Sequence, residues 1–129
     1  MDALKFEPVA VMLRLSKSHN ESVDVFTDTA TGLFDTLATR CLSEKHALIG
    51  HIKGFATGPE ESYLRVSATG DGRPADSQGH IRGAADAIFL ALNILVFGIS
   101  AERIRDLLSE SIIDVELLGK SAISFVNRL

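Results

Sequence analysis

The apolar run at residues 87–99, which only Asn93 interrupts with a strongly polar side chain, constrains the fold of this chain more than any other feature. Its 13 residues fall short of the roughly 20 that a helix needs to cross a bilayer, so the run must be buried within protein. We interpret it as part of a buried helix over residues 80–97, ended by Gly98. Such a helix is apolar on almost all sides and exceeds what one layer of sheet can cover, which predicts a homo-oligomer. In that case Asn93 hydrogen-bonds across a symmetric interface or to a group of its own chain.

Length and composition predict one folded domain. The chain has 129 residues, of which 46% are hydrophobic and 23% charged, a balance that can bury enough apolar surface to offset chain entropy. The single cysteine, Cys41, excludes an internal disulfide, and residues 1–7 lack the basic and apolar regions of a signal peptide. We therefore expect a cytoplasmic protein with no membrane partner. The formal net charge of −4 also disfavours nucleic acid as a partner.

Periodicity and turn residues predict the remaining elements. Residues 18–21 have capping-box spacing, and apolar residues then recur three or four apart, as in an amphipathic helix. Residues 57–61 have the composition of a turn between two strand-like segments, which indicates a β-hairpin. Residues 112–118 fit either a strand or a continued helix, and we favour the strand. In chain order we predict strand 9–15, helix 23–42, strands 47–56 and 62–68, helices 80–97 and 101–111, and strand 112–118.

This order of elements predicts an α+β fold. The arrangement βαββαβ is that of the ferredoxin-like, or split βαβ, two-layer sandwich, here with an extra C-terminal helix. If residues 112–129 are helical instead, the alternative is a small antiparallel sheet covered by three or four helices.

In the ferredoxin-like arrangement, three loops meet at one edge of the sheet and bring most of the histidines together. We predict His46 and His80 as a catalytic acid/base pair at this edge, and a small anionic ligand at the start of the helix after Gly79. No compact metal-ligand spacing is present, so we assign no metal ligand, and the sequence identifies no cofactor. Ordinary solvated loop residues are the competing interpretation. The candidate ligand-binding residues are His19, Lys45, Asp71, Arg73, Asp76, Ser77 and Arg82.

Residues 53–56, Lys-Gly-Phe-Ala, match the first four positions of the aromatic RNA-binding signature of the RRM fold. The match then fails, because Thr57 and Gly58 replace the required aromatic residue and valine, and strand 9–15 offers no partner aromatic. Alternation nevertheless places Lys53, Tyr63 and Arg65 on one face of the hairpin. RNA binding through that face is a disfavoured alternative, with a packed or oligomer-forming face as the simpler interpretation.

No motif identifies a substrate or a reaction, so the sequence leaves open whether the protein is an enzyme. The leading hypothesis is a homo-oligomeric module for small-molecule binding or assembly, because the apolar helix needs a partner surface. The alternative is a small-molecule enzyme of the lyase or hydrolase type that uses His46 and His80 as acid and base.

Overall fold

Six strands and two helices make up the described part of the chain. The computed structural model describes residues 8–119 and 121–126, and the sequence prediction about a signal peptide in residues 1–7 lies outside them. In chain order the elements are β1 (Val9–Lys17), α1 (Asp24–Leu42), β2 (Leu48–Thr57), β3 (Tyr63–Ala68), β4 (Asp76–His80), β5 (Ala87–Phe97), α2 (Ala101–Leu118) and β6 (Ser121–Phe125).

All six strands pair antiparallel in one sheet, in the order β4-β3-β2-β5-β1-β6. The long strands β2 and β5 form its centre, and the short strands β4 and β6 form its edges. α1 packs on the sheet from β4 to β6, while α2 packs on α1, β1 and β6. Both helices cover the same side, because one buried cluster joins their apolar residues to alternate residues of the strands. We call the opposite side of the sheet, which no described element covers, the open face.

The apolar run forms the central strand β5, so the predicted helix over residues 80–97 is wrong. Even-numbered residues from Ile88 to Val96 are buried against the helices, and the odd-numbered residues lie on the open face. A central strand can be apolar on both faces, so an unbroken apolar run does not distinguish it from a buried helix. The surplus apolar helix that predicted an oligomer is therefore absent from the described chain. None of the helices in the described ranges is long and apolar enough to cross a membrane.

The predicted hairpin is confirmed by β2 and β3, and the α+β class is confirmed as well. Residues 112–118 continue α2, so the predicted strand there is wrong. Burial of Ile112 and Val115 beside Ile104 and Leu108 stabilises the helical alternative. The ferredoxin-like order and the sheet covered by three or four helices are both wrong, because β5 occupies the segment assigned to the second helix and the described chain forms one six-stranded sheet with two helices.

The two helices start with different caps. The residues at 18–21 do not cap α1, because the helix begins after Val23, whose side chain forms no capping hydrogen bond. Instead, Ser22 Oγ accepts a hydrogen bond from the backbone N–H of Asp24. α2 begins after Ser100, whose Oγ accepts a hydrogen bond from the backbone N–H of Arg103 at 3.1 Å.

Ion pairs join the two helices along their exposed sides. Arg40 of α1 pairs with Glu110 and Asp114 of α2, and Arg103 of α2 pairs with Glu44, just beyond the end of α1. From Glu44 back to Arg40 the partners advance along α2 from Arg103 to Asp114, so the two helices run antiparallel across the covered face.

Gly54 of β2 lies in close contact with α1 on the covered face. A Cβ at this position would lie 2.6 Å from Cζ of the buried Phe34 ring, so only glycine lets the ring pack directly on the strand. This contact holds the central strand of the sheet against α1, and the other side of the same strand forms the middle of the open face.

Candidate functional site on the open face

The loop histidines predicted as a site lie at opposite ends of the sheet. His46 comes just before the start of β2, whereas His80 pairs with Tyr63, which pairs in turn with Thr57 at the end of β2. Since β2 has ten residues, His46 and His80 are separated by roughly 30 Å along the strands. An acid/base pair must reach one substrate, so the structure does not support this pairing. The predicted convergence depended on the ferredoxin-like topology, which places the strand ends differently.

The predicted ligand-binding loop residues divide between the same two ends. Lys45, Asp71 and Arg73 lie at the end with His46, while His19 and Arg82 lie at the end with His80. The other two belong to β4, where Asp76 pairs with Ser67 on the open face and Ser77 pairs with the buried Val66. The structure does not bring the seven together, and the binding role of each stays a prediction.

Two exposed aspartates, one at each end of the sheet, form hydrogen bonds or ion pairs with neighbouring residues. Asp71 accepts hydrogen bonds from Thr69 Oγ1 at 2.7 Å and from the backbone and side chain of Arg73, and these contacts lower its pKa to about 2. Nδ1 of His19 lies 3.2 Å from Oδ2 of Asp86, and this contact is the main reason why the pKa of Asp86 is lowered. Both carboxylates are therefore charged at neutral pH and already have partners.

The anion site was predicted at the start of a helix after Gly79, but the described segment there is the strand β4 followed by β5, and the next described helix begins only at Ala101. Gly79 lies in the edge strand β4 with a φ of 73°, a left-handed conformation that favours glycine. A Cβ there would lie 2.5 Å from the backbone oxygen of Tyr63. Gly79 therefore belongs to a paired strand, and any anion-binding site must lie elsewhere in the molecule.

Register arranges the outward side chains of the open face in rows that cross the strands. The first row contains Ala10, Asn93, Lys53, Ser67 and Asp76, and the second contains Met12, Ala91, Phe55, Arg65 and Gln78. In the third row, Arg14 of β1 lies opposite Phe89 of β5, and Tyr63 of β3 lies opposite His80 of β4.

Three aromatic rings and three basic side chains lie together near the middle of this face. Phe55, Tyr63 and Phe89 are 41%, 43% and 53% exposed, so together they present an apolar patch on the open face. None of the three basic side chains forms an ion pair with another described residue. We call this group the basic-aromatic strip: Arg14, Lys53, Phe55, Tyr63, Arg65 and Phe89.

Arg65 is stacked against both rings of the hairpin. Its guanidinium carbon lies 5.6 Å from the ring centroid of Phe55 and 5.7 Å from that of Tyr63. The two rings are themselves 6.4 Å apart and inclined by 24°. Cation–π contacts at exposed positions contribute about 0.5–1 kcal/mol. They keep the guanidinium beside the two rings, and no described carboxylate pairs with it.

A depression of about 530 Å³ lies next to this stack, within the size range of small-molecule sites. Phe55 and Arg65 form its aromatic and cationic wall, and the backbone around Gly54 and Val66 contributes to its floor. The polar side chains that line it are Lys53, Ser67, Asp76, Gln78 and Asn93. The depression therefore offers two cations, one carboxylate, a hydroxyl and two amides beside an apolar ring.

The charge of the protein is unevenly distributed between the two sides of the sheet. α1 and α2 together carry eight acidic and three basic residues. On the described open face, three basic residues, Arg14, Lys53 and Arg65, stand against one acidic residue, Asp76. The net charge of −4 is thus concentrated away from the open face, which is locally basic.

Sequence reasoning identified part of this strip and missed the rest. Hairpin alternation placed Lys53, Tyr63 and Arg65 correctly, but Phe89 was assigned to a helix and Arg14 was not singled out. Asn93 was interpreted as an interruption of a buried helix, whereas it is exposed in the first row beside Lys53. The available signal was the unbroken series of large aliphatic residues at even positions from 88 to 96, which is strand periodicity.

In the described ranges, no group of three or more His, Cys, Asp or Glu side chains is placed to hold a metal ion. No family model, curated protein or solved structure matches this chain. The function must therefore be argued from the chemistry of the open face.

Proposed function

We propose that this protein is a binding module whose open face takes an anionic ligand that carries a planar ring. The observation that supports this most directly is Arg65, stacked on Phe55 and Tyr63 with its charge unpaired among the described residues. A planar ring can stack on the exposed aromatic surface, while a phosphate or carboxylate pairs with the guanidinium.

Lys53 supplies a second cation for the same ligand. It precedes Phe55 by two residues on β2, so the two side chains share the open face and both line the depression. Asn93 lies opposite Lys53 on β5 and offers an amide donor and acceptor. Asp76 lies at the far side of the first row and repels a second negative charge there. This arrangement orients the anionic end of the ligand toward Lys53 and Arg65.

A second copy of this chain is the competing occupant of the open face. The sequence predicted a homo-oligomer and a cytoplasmic location, and both stay predictions. The exposed ring of Phe89 favours some partner surface. Packing two open faces together would, however, bring two locally basic surfaces into contact, and like charges brought together in an interface cost free energy. The charge pattern favours an anionic ligand instead.

Titration calorimetry with adenosine monophosphate, adenosine and inorganic phosphate tests the proposal, because only the first combines a planar ring with an anion. We expect the monophosphate to bind more tightly than either of the other two. Phe55→Ala and Lys53→Ala should each weaken its binding about tenfold, in line with the loss of one stacking or charged contact.

Matched controls lie on α2, away from the open face. Arg105→Ala removes an exposed positive charge and Leu117→Ala removes an exposed apolar side chain. Both should leave binding unchanged. Equal binding of adenosine and its monophosphate, or equal effects of the control and open-face variants, would contradict the proposal.

A further inference from the structure

We infer that the ligand of the open face is a single-stranded nucleic acid, an inference that rests on the proposed function and names its ligand. The basic-aromatic strip repeats one combination, a ring next to a cation, across the sheet. Arg65 stacks on Phe55 and Tyr63, and Arg14 lies directly opposite Phe89 in the sheet register. A chain that repeats a planar base and a phosphate has the matching pattern.

The spacing of the rings suits a chain better than a single nucleotide. Phe55 and Tyr63 have ring centroids 6.4 Å apart. Phe89 is the diagonal neighbour of Phe55, because Phe55 pairs with Ala91, two residues further along β5. Diagonal neighbours in an antiparallel sheet lie about 7–8 Å apart. The three rings thus extend across β3, β2 and β5, so one base covers only part of them and successive bases of a strand can cover all three.

The segment that partly matches an RNA-binding signature, residues 53–56, lies in the middle of β2 and contributes two residues to the open face. Alternation along β2 places Lys53 and Phe55 on the open face, while Gly54 and Ala56 are buried on the covered face. The objection from sequence was that β1 carries no partner aromatic, and the described β1 indeed carries none. The partner rings come instead from Tyr63 on β3 and Phe89 on β5, the strands on either side of β2.

The exposed rings favour single strands over a duplex. Bases in a duplex are stacked on one another and cannot present their faces to a flat sheet, whereas unpaired bases can stack on aromatic side chains. The net charge of −4 disfavoured a polyanion, but acidic residues predominate on α1 and α2, on the opposite side of the sheet. With three basic residues, binding is expected to be moderate in affinity, with a salt slope of about −2.

Fluorescence anisotropy with a short labelled strand of mixed sequence tests the inference on the full chain. Four probes are compared: single-stranded RNA, single-stranded DNA, the corresponding duplex, and an abasic strand of equal length. We expect both base-containing single strands to bind at least tenfold more tightly than the abasic strand or the duplex. The RNA and DNA arms distinguish which of the two polymers is preferred.

Two variants outside the depression make the test specific. Phe89→Ala should weaken strand binding about tenfold, and Arg14→Ala should reduce the magnitude of the salt slope by about 0.7. Both should affect the strand much more than adenosine monophosphate, which needs one ring only. The exposed Leu117→Ala and Arg105→Ala variants of α2 serve again as controls.

Three other outcomes would contradict the inference, and each identifies a different cause. If adenosine monophosphate binds but the strand binds no more tightly, the proposed function survives and the polymeric ligand does not. If the abasic strand binds as tightly as the normal one, the rings are not used and the inference fails. If light scattering shows a dimer that Phe89→Ala dissociates and that binds no strand, the open face belongs to a second copy of the chain.

Discussion

The guanidinium of Arg65 lies over the ring of Phe55, 5.6 Å from its centroid, on the exposed side of the sheet. Replacing Arg65 by methionine keeps most of the side-chain length and removes the charge. We expect the free energy of unfolding to fall by no more than about 1 kcal/mol, because cation–π contacts at exposed sites are weak. Tyr63 is the single tyrosine of a chain without tryptophan, so its emission reports on this stack. Tyrosine emission should therefore change in Arg65→Met while the urea midpoint shifts little. A large loss of stability would instead assign Arg65 a structural role.

Alanine at Gly54 should destabilise the protein. Its Cβ would lie 2.6 Å from Phe34 Cζ and 3.1 Å from Leu90 Cδ1, both in the core, and overpacking of this kind costs about 1–3 kcal/mol. Gly32 is the matched control, because it lies in α1 and a Cβ there would have no other side chain or strand within 4 Å. Gly32→Ala should stabilise the protein by about 0.5–1 kcal/mol through helix propensity. Urea unfolding measures both, and equal effects would contradict the close packing of Phe34.

The Cys41 thiol should be unreactive in the native protein. Burial is the main cause that raises its pKa from 9.0 to about 11, with a smaller contribution from Glu44. The native thiol therefore remains protonated at pH 8, and a thiol-specific reagent should react with it only as the protein unfolds. Because the folded pKa is the higher one, the protonated thiol contributes stability that is complete below pH 9.0 and is lost as the pH rises toward 11. Cys41→Ala should lack this alkaline contribution, and rapid labelling of the native wild type would contradict the buried position.

Arg40 holds two carboxylates of α2 that would otherwise repel each other. It pairs with Glu110 and Asp114, which are four residues apart on one side of the helix. All three side chains are partly exposed, so Arg40→Met should lower the free energy of unfolding by only about 1 kcal/mol. In the Glu110→Gln and Asp114→Asn background the same substitution should cost less, since the repulsion is gone. A double-mutant cycle from urea unfolding measures this coupling, and strict additivity would mean that the pairs contribute nothing.

The part of the open face that sequence could predict is the part formed within one hairpin. A short turn fixes which residues of β2 and β3 share a face, so alternation along the chain was enough to place Lys53, Tyr63 and Arg65 together. Simple alternation does not hold at the start of β2, where an irregularity between Ile49 and His51 shifts the register against β5 and leaves both Ile49 and Ile52 buried. Bulges of this kind depend on the neighbouring strand and carry no local signal.

By itself the sequence determined which segments must be buried and which short-range elements form, including α1, the β2–β3 hairpin and the α+β class. Only the tertiary structure decided that residues 87–97 form the central strand, that residues 112–118 continue α2, and that His46 and His80 lie at opposite ends of the sheet. The physical reason is that an apolar run gains burial either as a helix or as a strand. Residues 87–97 form a strand because β1 and β2, which are distant in sequence, pair with both edges of β5 and satisfy its backbone hydrogen bonds.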